Sequence, residues 1–143
     1  MSPSSHEVLV IQNRLLEMSR VERWLAGFIE KWEIPAGAGF AVDLVINEAV
    51  ANVISHAYRD GADHQIAVSL TDTPEAVVVE IVDDGEAFNP FDAPAMATAS
   101  DLEQAAIGGR GIHLIKSYSD DYDYRRVAGR NRLRLAIRKE RGG

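Results

Sequence analysis

Three short stretches of this chain carry side chains whose types and spacing could do chemistry. In Glu48-Ala49-Val50-Ala51-Asn52-Val53-Ile54-Ser55-His56, polar residues recur every four positions along an otherwise apolar run. On a helix each such step advances only ~40° about the axis, so Glu48, Asn52 and His56 share one side. A carboxylate and an amide oxygen one turn apart are hard ligands suited to Mg2+, or a carboxylate base beside an amide ligand; a solvated polar edge has the same spacing. The second stretch, Val82-Asp83-Asp84-Gly85-Glu86-Ala87-Phe88-Asn89-Pro90, follows a run of apolar residues. An aspartate at a strand end can accept a hydrogen bond from an exocyclic amine such as N6 of adenine. A glycine two residues on lets the backbone approach a flat ring, and an ordinary Asp-Gly turn reads the same way. The third is Gly108-Gly109-Arg110-Gly111, which opens a helical pattern. Its glycines allow backbone N–H groups to turn inward at a helix N-terminus, a favourable place for a phosphate. It is neither a Gly-Lys-Ser/Thr phosphate loop nor a Gly-x-Gly-x-x-Gly dinucleotide turn.

The elements that must position these residues follow from periodicity. Glu7–Ile11 is short and β-branched and reads as a first strand. Ser19 and Glu22 have capping-box spacing and predict the start of a helix carrying Val21, Trp24, Leu25, Phe28, Ile29 and Trp32 on one stripe, ended by Pro35, Gly37 and Gly39. A second helix is expected over about 40–59, with Val42, Val45, Ile46, Ala49, Val50, Val53 and Ile54 as a wide apolar face. Gln65–Leu70 and Val77–Val82 predict a hairpin about Asp72-Thr73-Pro74-Glu75. Residues 83–107 predict a long loop, 112–118 a short helix and 120–127 a strand. Arg132–Arg138 alternates basic and apolar residues as a half-buried strand does. The expected class is α+β: a two-layer sandwich, order β-α-α-β-β-loop-α-β-β, with helices on one face of a mostly antiparallel sheet.

The remaining numbers narrow the function classes. At 143 residues the chain is expected to be a single domain over 1–143. With no cysteine, disulfides, thiolate metal sites and a cysteine nucleophile are excluded, and a cytoplasmic setting is the expectation. His6, His64 and His113 lack metal-ligand spacing. No leader pattern opens the sequence and no segment approaches ~18 consecutive apolar residues, so no membrane partner is expected. A net charge of -7 disfavours direct nucleic-acid binding, although arginines concentrate between Arg125 and Arg141.

Taken together, Glu48-x-x-x-Asn52-x-x-x-His56-Ala57-Tyr58, Asp83-x-Gly85-x-x-Phe88-x-Pro90 and Gly109-x-Gly111-Ile112-x-Leu114-Ile115 resemble the N, G1 and G2 boxes of the GHKL superfamily of ATPases and kinases. The likeness is to the compact anti-sigma-factor serine kinase branch, over nearly the whole chain. That resemblance implies the histidine kinase-like ATPase (Bergerat) fold, ATP and Mg2+ as cofactors, Glu48 as general base, Asn52 as Mg2+ ligand and Asp83 as the adenine anchor. Gly85, Gly109 and Gly111 would shape the pocket and meet the phosphates, with Phe88, Gly108, Arg110, Ile112 and Asn131 also in the nucleotide site and residues 89–107 forming a lid. Arg110 faces the phosphates or is a solvated lid residue. His56 reads as structural rather than catalytic. The resemblance further implies a sigma factor as the bound partner, an antagonist protein whose serine is phosphorylated, and a homodimer. A catalytically weak ATP-dependent binding module and a detached histidine-kinase catalytic domain are the alternatives. The sequence departs from the family pattern at Ala87, where a glycine is usual, and at Arg130-Asn131, where many relatives have Gly-Thr. Asparagine retains the capacity to donate and accept near the ring.

Overall fold

The computed structural model describes residues 5–58, 60–92 and 109–140. Strands β1 (Ser5–Gln12), β2 (Gln65–Asp72), β3 (Ala76–Asp83), β4 (Asp121–Val127) and β5 (Arg130–Arg138) form one sheet in the order β1-β2-β3-β5-β4. Every neighbouring pair is antiparallel. Helices α1 (Met18–Lys31), α2 (Ala36–His56) and α3 (Gly109–Tyr118) complete the α+β layout expected from the sequence.

Alternation explains the sheet. On β2 the buried residues are Ile66, Val68 and Leu70; on β3 Val77, Val79 and Ile81; on β5 Leu133, Leu135 and Ile137. These meet the apolar stripe of α2 (Val42, Val45, Ile46, Ala49, Val50, Val53) and Val21, Leu25 and Phe28 of α1. Each large aliphatic side chain buried this way contributes roughly 1.5–3 kcal/mol. By length and composition α2 could span a membrane, but 56% of the qualifying window is buried as the core helix. The same period of two continues past the apolar residues: Asp83 follows Ile81 and Asn131 precedes Leu133, so both polar side chains point into the helix-covered layer. They are direct partners in the β3–β5 register, at the end of the core stripe.

Three local expectations are corrected. The capping box does not form. The 3-10 turn Leu15–Glu17 runs straight into α1, whose N-cap is Glu17 without a side-chain cap, and Ser19 Oγ donates to the Leu16 carbonyl at 3.2 Å. Pro35 does not simply end a helix: it is the N-cap of α2, which begins at Ala36 rather than near Phe40 and takes Gly37 and Gly39 into its first turns. At Gly39 a Cβ would come 3.3 Å from Ile29 Cγ2, so the glycine lets α1 lie close against α2. What stops α1 is Glu33 at φ 50, with Ile34 N–H donating to Ile29 O at 3.0 Å and Glu33 N–H to Glu30 O at 3.2 Å. That is a Schellman ending with glutamate where glycine is usual. Finally, α3 starts at Gly109 rather than Ile112, because the helical period begins within the glycine run.

Candidate functional site

Asp83 and Asn131 form the polar floor of a cleft closed by α2 on one side and α3 on another. Its walls are Ala49, Asn52 and Val53 from α2, Ile81 and Asp83 from β3, Phe88 and Pro90 from the following loop, Ile115 from α3, Tyr124 from β4, and Asn131 and Leu133 from β5. The space inside is about 10 Å3, about enough for one water, so in this structure the cleft is nearly filled by its own side chains and would have to open to admit a larger ligand. An apolar lining with a few convergent polar groups is the make-up of a small-molecule site.

Asn131 organises the floor. Its Nδ2 donates to Asp83 Oδ1 at 2.9 Å and to the Glu86 carbonyl at 2.7 Å. Its Oδ1 accepts from the Phe88 amide at 3.1 Å and from the Tyr124 hydroxyl. Two donors and two acceptor sites are all an asparagine has, so its capacity is met by the protein. Asp83 is only 3% exposed and receives the Gly85 amide on Oδ1 at 2.9 Å. Among the described residues no partner reaches Asp83 Oδ2. Burial pushes the Asp83 carboxyl above its usual range, opposed by the bonds from Asn131 and Gly85 and by the charge of Arg126. An acceptor oxygen left over on a buried carboxylate is suited to a ligand N–H.

Gly85 is a glycine for a steric reason. A Cβ built there would lie 2.4 Å from the Ala57 carbonyl oxygen and 2.7 Å from Ala57 Cβ, so the loop rests against the C-terminal end of α2. Glu86 N–H donates to that same carbonyl at 2.8 Å, and Arg126 Nη1 donates to the Gly85 carbonyl at 2.7 Å. Asn52 is 8% exposed, and its Nδ2 is buried with no hydrogen-bond partner among the described residues. An orphan of this kind costs about 1–3 kcal/mol unless something else satisfies it.

The residues singled out from the sequence distribute as follows. Asn52, Asp83, Phe88 and Asn131 meet in the cleft. Gly85 lies beside it, in a neighbouring depression with Ala57, Tyr58 and His64. Glu48 is half-buried one turn before Asn52 and does not line the cleft. The His56 ring tilts against Phe88, centroids 5.5 Å apart, a packing role. Gly109, Arg110, Gly111 and Ile112 form the first turn of α3, for which only the backbone is described. Gly108 and the greater part of the expected lid, residues 93–107, lie outside the described residues. Sequence reasoning missed Tyr124, Arg126 and Ile115 as site residues. The alternation that puts Tyr124 opposite Leu133 was the available signal for the first. Nothing local marks Arg126. Among the described residues no group of three or more His, Asp or Glu could hold a metal, so a cation here would depend on an amide oxygen such as that of Asn52 together with the ligand's own oxygens.

Comparison with known proteins agrees with this geometry. Serine/threonine-protein kinase BtrW of Bordetella bronchiseptica is 32% identical over 106 residues, 74% of this chain and 73% of that one. Serine-protein kinase RsbW of Bacillus pumilus is 27% identical over 60% of this chain and 57% of its own length. The anti-sigma F factor of Bacillus velezensis is 26% identical, covering 68% and 66% respectively. The matched stretch is thus less than two thirds of the length of the last two relatives. Residues 11–137 match the model of the histidine kinase-like ATPase domain, which takes in every strand and helix around the cleft. The chain belongs to the histidine kinase-like ATPase domain family.

Proposed function

We propose that this chain is an ATP-binding anti-sigma factor of the serine kinase type, which holds a sigma factor out of action and phosphorylates a serine of the antagonist protein that would displace it. The observation that carries the reading is the meeting, in one apolar cleft and among the described residues, of buried Asp83, whose hydrogen bonds both fall on Oδ1, with buried Asn52, whose Nδ2 has no partner. Relatives named as serine-protein kinases and as an anti-sigma factor support the choice of branch.

In this reading Asp83 Oδ2 accepts the adenine amine, while Asn131 acts without touching the base: its amide is spent on holding Asp83 and the 86–88 backbone in place. Ile81, Ile115, Leu133 and Val53 supply the apolar walls for the ring. Asn52 Nδ2 would donate to a nucleotide oxygen while its amide oxygen would serve Mg2+, and the backbone amides at the start of α3, including those of Gly109 and Gly111, would meet the phosphates. Bound Mg-ATP supplies the transferable phosphoryl group and neutralises its charge. Glu48, one turn before Asn52, takes the proton of the acceptor serine as its oxygen bonds to the γ-phosphorus and ADP leaves. Val8 and Val10, 52% and 45% exposed on the edge strand β1, support a homodimer formed through that strand.

The test is calorimetric titration of Mg-ATP into the wild type, Asn52→Ala and Asp83→Asn, followed by labelled-phosphate transfer to an antagonist serine. Wild-type binding that both substitutions abolish is the expected result. Binding that survives Asp83→Asn would overturn the adenine assignment, and binding without transfer would leave an ATP-dependent protein-binding module.

A further inference from the structure

The loop after β3 is tied down on its outer side by a residue that plays no part in the proposed nucleotide contacts. His64, immediately before β2, lies between two carboxylates. Its Nε2 is 2.7 Å from Oδ2 and 3.0 Å from Oδ1 of Asp60, and its Nδ1 is 3.1 Å from Oδ1 of Asp84. The imidazole stacks on the Tyr58 ring, centroids 4.5 Å apart with 22° between planes. These side chains line one depression with Ala57, Gly85 and Glu86.

The hydrogen-bond chemistry fixes the protonation state that this geometry needs. An ionised carboxylate only accepts, so both ring nitrogens must donate for both contacts to be hydrogen bonds, and only the imidazolium carries two N–H groups. A neutral ring keeps one. That one stays with Asp60, which Nε2 meets at the shorter distance through both oxygens, and Asp84 is released. Among the described residues, the charged groups lining the depression with the ring are Asp60 from its own connection and Asp84 and Glu86 from the loop after β3. Among the described residues, Arg14 and Arg126 are engaged elsewhere: Arg14 pairs with Asp63 at 2.6 Å, and Arg126 bonds the Gly85 carbonyl. Consistent with this setting, the hydrogen bond to Asp60, aided by the charges of Asp60 and Asp84, holds His64 above the usual histidine pKa against the opposing effect of burial.

We propose that His64 is a positioning residue: as an imidazolium it ties Asp84 to the connection between α2 and β2 and so holds the loop that carries Asp83 in its binding conformation. The inference rests on the ATP reading of the cleft. Other ties on this loop fall on Gly85, Glu86 and Phe88, whereas the His64 contact is the side-chain tie at Asp84, between the proposed adenine anchor and the glycine packed on Ala57. Because the folded-state pKa is raised, the tie is complete below the ordinary histidine value of ~6.5 and is lost as pH rises through the folded value.

The experiment is a pair of pH titrations on the full chain, as wild type, His64→Gln and Asp84→Asn. NMR follows the His64 ring and the Gly85 and Glu86 amides without nucleotide, and calorimetry follows Mg-ATP affinity. In the wild type, the two amides should shift with the midpoint of His64, and Asp84→Asn should lower that midpoint. Mg-ATP should bind on the order of five-fold more weakly above the midpoint than below it. His64→Gln should show only the pH dependence of the nucleotide itself. Amides that stay silent while His64 titrates, or a His64→Gln profile that superposes on the wild type, would overturn the proposal. If Mg-ATP binds neither the wild type nor the variants at any pH, the nucleotide reading fails, and the amide titration still decides whether His64 positions the loop.

Discussion

Replacing Gly85 by alanine tests the site through its tightest contact. The added Cβ would sit 2.4 Å from the Ala57 carbonyl oxygen and 2.9 Å from its carbonyl carbon, both backbone atoms that no rotamer change can move. Ordinary carbon-to-oxygen contact begins at about 3.3 Å, so the loop must retreat by roughly 1 Å. That retreat breaks the 2.8 Å bond from Glu86 N–H to Ala57 O and strains the 2.7 Å bond from Arg126 to Gly85 O. Two hydrogen bonds at about 1 kcal/mol each, with 1–2 kcal/mol of overpacking strain, give a cost of roughly 3–4 kcal/mol. If the loop holds, the midpoint of thermal unfolding falls by about 10 °C. If the loop yields instead, the Gly85–Asp83 bond is lost and Mg-ATP affinity falls by about ten-fold or more. Gly27→Ala is the control: it lies within α1, a Cβ there meets nothing within 4 Å, and it should stabilise the protein by about 1 kcal/mol. Differential scanning calorimetry and ATP titration read both outcomes. Gly85→Ala with unchanged melting and unchanged affinity would refute the packing argument.

Further substitutions separate stability from binding. Asp83 has a raised folded-state pKa, so its favourable contribution is complete below the unfolded value of ~3.9 and is lost as pH rises through the folded value. Asp83→Asn keeps an oxygen for the Gly85 and Asn131 donors; urea midpoints should show it at least as stable as wild type at pH 7, with any gain vanishing near pH 4. Glu33→Gly, at φ 50, should raise stability by about 1 kcal/mol by relieving a left-handed residue at the end of α1. Ala128→Asn, at φ 52 before Gly129 in the β4–β5 turn, should add about 0.5–1 kcal/mol in the same denaturation assay, since Asn-Gly suits that turn.

Much of the fold was legible because its periods are clean. Val77-x-Val79-x-Ile81-x-Asp83 and Asn131-x-Leu133-x-Leu135-x-Ile137 alternate without a break, and α2 keeps its apolar stripe for five turns. Punctuation misled where tertiary packing outweighed local preference. Gly37 and Gly39 read as a break, yet α2 runs through both, and at Gly39 the missing side chain leaves space for Ile29 of the neighbouring helix. Ser19 and Glu22 had the right spacing for a cap, but the chain had already turned into helix at Glu17.

For the site, residue identity alone determined the candidates: Asn52 on the polar side of a helix, and Asp83 and Gly85 after a strand. Their type and local spacing are properties of contiguous chain. What only the tertiary structure decided is the relation between distant segments. The β3–β5 register sets Asn131 against Asp83, 48 residues apart in sequence, and its amide is shared among Asp83, the 86–88 backbone and Tyr124. Strand pairing likewise brings Tyr124 to the cleft and Arg126 to the Gly85 carbonyl beside it, and the end of α2 makes Gly85 indispensable. A hydrogen bond or a steric contact depends on ångström separations, and those exist only after the sheet has paired and the helices have closed on it.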